Sequence, residues 1–211
     1  MIANFFSKTR PINTLAIVTL LFFIYILSTI INFDGVISAS FFVKRVTYFI
    51  LLLIILFSVN FIVRKNNLVK DNSYTLFLYV VLLGLFPFTV LDFKLAIINF
   101  ILLLSYRRIY SLRTQKDVKE KLFDSAFWIG IATLIYSWSI LILFLVFLAA
   151  YVFDKWTWRN ALIPIVGFFT PIIIYMAYLT AMNESMIIAT IFDFNLFFEF
   201  ENYNSLKLLI P

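Results

Sequence analysis

Apolar and polar positions do not alternate along this chain. They segregate into long apolar blocks separated by short polar ones. Residues 13–31 and 41–63 are each long enough to cross about 30 Å of hydrocarbon at about 1.5 Å of rise per residue. Residues 73–86 and 92–105 make two shorter arms around the corner Pro87–Asp92, with Ser73 and Asp92 as expected N-caps, since each offers a side-chain oxygen at the start of an apolar run. The block 125–153 is too long for one untilted span. It predicts a hairpin with arms 126–136 and 139–153 and the interfacial residues Tyr136 and Trp138 at its corner; the alternative is a single steeply tilted helix, which would move every later loop to the opposite side. Residues 161–180 span again and carry Pro164, Gly167 and Pro171, which bend a helix either to shape a cavity or to pack it closely. Beyond Asn183, Glu184, Asp193, Glu199 and Glu201 interleave with phenylalanines, so 186–200 is expected to lie at the interface rather than deep in lipid. Leu206–Pro211 reads as the start of another apolar segment, and the natural protein is expected to continue past it.

The pattern therefore predicts an all-α fold: a single domain over 1–211, a polytopic bundle of about seven membrane helices, several of them short and paired as hairpins. Composition agrees, because 64% of residues are hydrophobic and 13% charged, against about 25% charged in an ordinary soluble domain. A signal peptide is the rival for the first block, but its apolar region would be only about 7–15 residues long.

Charge supplies the orientation. The longest polar run, Tyr106–Asp124, carries Arg107, Arg108, Arg113, Lys116, Lys119 and Lys121 between apolar flanks. Short loops rich in Lys and Arg remain on the cytoplasmic side of a bilayer. With Lys8, Arg10, Arg64, Lys65, Lys70, Lys155 and Arg159, thirteen of the 17 basic residues fall on one side, and the N-terminus is expected in the cytoplasm. Lys44 and Arg45 count against this, although their stems let the charges reach the headgroups. Contact with anionic lipid headgroups is expected at the basic loops. Nucleic acid is not, since a soluble basic domain could not keep such flanking segments dissolved.

Candidate chemistry is sparse. The chain has no His and no Cys, which excludes thiolate and Ser-His nucleophiles, His- or Cys-bound zinc and His-ligated haem or iron. No cofactor and no metal is expected. Asn60 and Asn99 are the amides well inside apolar arms, and bonding between helices accounts for them. Three functions are weighed. The first is a non-catalytic subunit or scaffold that binds other membrane-protein subunits, motivated by the lack of acids or bases deep in the spans. The second is a transferase acting on a lipid-linked sugar at the outer face, with Asp34 or Asp92 as base; each aspartate also serves as an ordinary turn former or cap. The third is a small-solute carrier with a site near Pro164, Gly167 and Pro171.

The opening FFSKTRPIN, the segment RRIYSLRTQ and the run from FDSAFWIGIATLIYSWSILIL to FDKWTWRNALIPIVGFFTP resemble an uncharacterised family of polytopic inner-membrane proteins from flavobacteria and other Bacteroidota. The likeness covers most of the chain. It implies a bacterial inner membrane as the compartment and assigns no catalytic residue.

Overall fold

The structure, a computed structural model, describes residues 5–32, 39–114 and 116–182. These residues are helical almost throughout, and no strand occurs among them. The elements are α1 (Pro11–Ile31), α2 (Ala39–Lys65), α3 (Tyr74–Gly84), the single turn α4 (Pro87–Val90), α5 (Phe93–Ser111), α6 (Val118–Ile135), a 3-10 helix (Ser137–Ile142), α7 (Leu143–Val152) and α8 (Trp158–Ala181). The all-α bundle expected from the apolar blocks is the fold observed.

Of the about seven membrane helices the pattern predicted, several were expected to be short; among the described residues three helices, α1, α2 and α8, are long and apolar enough to cross a membrane, with 21, 27 and 24 residues. Their most apolar stretches are only 22%, 33% and 33% buried inside the bundle, so most of their surface faces outward. Phe23, Ile30, Phe42, Val43, Ile173 and Ile174 are all exposed. Water does not tolerate a continuous apolar exterior of this kind; lipid does.

The remaining helices differ from the expected arms in informative ways. α5 does not end at Ser105 but runs through Arg107 and Arg108 to Ser111, and α6 begins at Val118, well before Ala126. The basic run is thus mostly two helix ends, with only residues 112–117 connecting them. The cause is packing: the buried stripe Ile98, Ile101, Ser105, Ile109 and Leu112 keeps helical spacing past the charges. After Ile135 the chain breaks at Tyr136, whose backbone is extended (φ −144°, ψ 106°), and returns as the 3-10 helix and α7. Six residues at about 2.0 Å and ten at about 1.5 Å give a rise of about 27 Å, so the tighter winding lets a short segment approach the thickness of a bilayer core. α3, at 11 residues, covers only about 16 Å.

Two cores result. The first joins α1, α2, α3, α4 and the start of α5 through Ile17, Leu21, Tyr25, Tyr48, Leu52, Ile55 and Val80. The second joins the end of α5 with α6, α7 and α8 through Leu122, Ala126, Ile129, Val146 and Phe168. α6 packs most extensively on α8, then on α5. A Cβ built on Gly130 would lie 2.4 Å from the Phe168 carbonyl oxygen, and one on Gly167 would lie 2.6 Å from that of Phe123. These glycines therefore let two backbones touch, as small residues do in membrane bundles. Phe123 faces Gly167 and Gly130 faces Pro171, so α6 and α8 run parallel and the segment between them returns to the starting end.

Candidate functional site

The directions of the helices gather charge at one end of the bundle. Ser105 Oγ donates to the Ser125 carbonyl across the α5–α6 hairpin at 2.9 Å, and Arg108 pairs with Asp124 at 2.7 Å. Arg107 lies over the Phe61 ring at 5.2 Å, with Lys65 over the same ring at 5.3 Å, so the ends of α2 and α5 meet there. The segment before α1 joins the same end: Phe6 stacks on Phe77 at 4.6 Å and its carbonyl accepts from the Ser73 N–H at 3.0 Å. The connection 153–157, with Lys155 and then Arg159 on α8, lies there too, because α8 starts where α6 starts. Thirteen basic residues thus share one end. Lys44, Arg45 and Lys94 occupy the other, where Tyr25 donates to the Arg45 carbonyl and Tyr48 to that of Asp92.

Within the basic end the cations differ in what they do. Lys121 is buried, and its ammonium donates to the Ser111 carbonyl at 3.0 Å and to Thr114 Oγ1 at 2.6 Å. It caps the C-terminus of α5, where a cation also opposes the helix dipole. Burial pulls its pKa below the ordinary lysine range; Asp117 opposes this and Arg108 adds to it. Arg108 and Asp124 are each partly exposed, so their pair contributes less than about 1 kcal/mol. Arg113 and Lys116 stand in the connection, and Lys119 is exposed on the first turn of α6. Trp158 is 89% exposed beside Arg159, and Asn160 Nδ2 donates to the Lys155 carbonyl at 2.7 Å. Lys155 itself follows Asp154, which is held in the left-handed region at φ 56° while the Lys155 N–H bonds back to the Ala150 carbonyl at 2.8 Å.

The candidates for chemistry fare differently. Asp92 is the N-cap of α5: its Oδ1 accepts from the Lys94 N–H at 2.9 Å and the Leu95 N–H at 3.2 Å. That structural role engages one carboxylate oxygen, Oδ1. Ser73, the other expected cap, precedes α3 but makes no side-chain cap bond. Asp34 and the segment 186–200 lie outside the described residues. Gly167 and Pro171 face α6 and Pro164 is buried, so two of the three bending residues serve close packing. Asn99 Nδ2 donates to the Tyr79 hydroxyl at 2.8 Å, joining α5 to α3, whereas Asn60 Oδ1 accepts from Arg64 Nε at 3.1 Å within α2. Among the described residues no group of three or more acidic side chains comes together. In the sequence pattern Arg64 and Lys70 serve only as markers of orientation, although Asn60 and Arg64 stand one helical turn apart, the spacing of a shared role.

No protein-family model, curated protein or solved structure matches this chain.

Proposed function

We propose that the chain is a multi-pass subunit or scaffold of a larger membrane assembly, with its basic end in the cytoplasm and no reaction of its own. The observation that carries this reading is how most of the polar groups inside the bundle are spent, the buried Ser73 and Ser139 hydroxyls excepted. Ser105, Ser125 and Thr133 each donate to a backbone carbonyl, and Asn99 donates to Tyr79. Among the described residues the charged side chains stand at the two ends. A proton or ion pathway leaves ionisable groups at depth. Asp92, the described candidate for a transferase base, has a structural role as the cap of α5 through its Oδ1. The lipid-facing flanks of α1, α2 and α8 supply the surface on which partner helices would pack. The positive end supports a cytoplasmic face, and the resemblance of FFSKTRPIN and RRIYSLRTQ to Bacteroidota inner-membrane proteins supports the compartment.

Extraction of the full chain from its native membrane in mild detergent, followed by native mass measurement, tests the assignment. A second protein in fixed stoichiometry with the 24.8 kDa chain is expected. A particle containing this chain alone, at every detergent strength that keeps it folded, overturns the reading.

A further inference from the structure

At the basic end a cavity of about 190 Å³ opens between the last turn of α2, the connection 66–73 and the first turn of α3. Its polar wall is Asn60, Arg64, Asn67, Lys70, Asp71 and Asn72, with Thr9 closing one side and Val63, Val69 and Leu76 supplying an apolar part. The chain is folded back to make it. Asn67 adopts the left-handed conformation at φ 48°, and the Leu68 N–H bonds to the Val63 carbonyl at 3.1 Å, which turns Lys70 toward the helix end that carries Arg64.

Several cations of the basic end outside this cavity are already engaged. Lys65 and Arg107 lie over Phe61, Arg108 pairs with Asp124, and Lys121 caps α5. Arg64 and Lys70 have no carboxylate within salt-bridge distance among the described residues, although Asp71 lines the same cavity. Asp71 instead accepts from Thr9 Oγ1. Arg64 is oriented through its Nε on Asn60, which leaves the two terminal nitrogens of the guanidinium for an anion. Asn72 Oδ1 accepts from the Tyr74 N–H at 3.2 Å, so its amide nitrogen remains a donor. Two cations and amide donors around a small volume suit a tetrahedral phosphate. The single carboxylate beside them suits a hydroxyl or ammonium attached to that phosphate, and the valines and leucine suit the glycerol and first methylenes of a lipid.

We propose that this cavity binds the phosphate of a membrane phospholipid, gripped by Arg64 and Lys70, with Asp71 accepting from the headgroup's hydroxyl or ammonium. The proposal rests on the reading that the basic end lies in the headgroup plane. Full-length protein reconstituted with phosphatidylglycerol, phosphatidylethanolamine and uncharged diacylglycerol is examined by native mass spectrometry for retained lipid. R64Q/K70Q is compared with R113Q/K116Q, which removes the same charge from an exposed connection. Wild type and R113Q/K116Q are expected to retain a phospholipid and no diacylglycerol, and R64Q/K70Q to lose about ten-fold in retention. R64K, which keeps the charge but not the fork, is expected to lose retention as well and guards against misfolding of the double variant. An equal loss in the two double variants would mean general charge attraction and overturn the site. Displacement of the lipid by millimolar glycerol phosphate would reassign it to a soluble phosphate ester. Failure of all variants and wild type to enter vesicles would instead remove the membrane reading beneath it.

Discussion

The two cores of the bundle solve the same packing problem by opposite means. In the first, large side chains interdigitate: Tyr25 meets Tyr48 at 6.0 Å and Phe49 at 5.4 Å, and Ile17, Leu21, Ile55 and Leu56 fill the space between α1, α2 and α3. In the second, small residues at the helix crossing let the backbones approach beside Leu122, Ile129 and Phe168. Gly130 and Gly167 bring α6 and α8 together until backbone meets backbone, and Ser125 and Ala126 keep the same stretch of α6 slim. Lipid tails are as apolar as leucine, so large side chains gain little from leaving lipid, and close contact of backbones supplies the attraction instead. The difference teaches that tolerance to substitution depends on what the new atoms would meet. A flexible side chain can move aside; a carbonyl in a helix cannot.

The largest effect is expected at that crossing. Gly130→Val and Gly167→Val should each destabilise the bundle by about 3 kcal/mol or more, measured by denaturant unfolding in mixed micelles, because the added atoms meet the backbones of α8 and α6. Leu21→Ala in the first core should cost about 2–3 kcal/mol through the cavity it leaves. Ser105→Ala removes the bond to the Ser125 carbonyl and should cost about 1 kcal/mol, near what helix-to-helix hydrogen bonds contribute in lipid. The smallest effect is expected at Gly84→Ala, within about 0.5 kcal/mol, since the new Cβ would meet only the end of the Ile24 side chain at 2.9 Å. If Gly84→Ala proved as costly as Gly130→Val, the contrast between the two cores would collapse.

The apolar blocks made the helices and the fold class legible, because length and hydropathy follow directly from what lipid requires of a backbone. Helix ends were less legible. Arg107, Arg108, Lys119 and Lys121 read as a loop from composition, yet Ile109 and Leu112 continue the buried stripe of α5, and Leu122 begins that of α6. Counting the 3.6-residue period through the charges would have recovered both ends. The Arg108–Asp124 pair and the contact of Gly167 with Phe123 depend on how one helix registers against another, which no local pattern encodes. For the same reason Pro164, Gly167 and Pro171 read equally well as a cavity or as packing until their neighbours were placed. The cavity at Arg64 was hidden because its wall is assembled from three segments, two of them separated from Thr9 by the whole of α1 and most of α2.

The lipid-embedded bundle gathers its described basic residues mostly at one end, and we propose that this end faces the cytoplasm. A chain without cysteine lends itself to a direct measurement: K116C, K155C and K94C are expressed singly and exposed to a membrane-impermeant maleimide on intact cells and again after permeabilisation. K94C should react in intact cells, and K116C and K155C only after permeabilisation. Labelling of K116C from outside, or of K116C and K155C from opposite sides, would contradict the account.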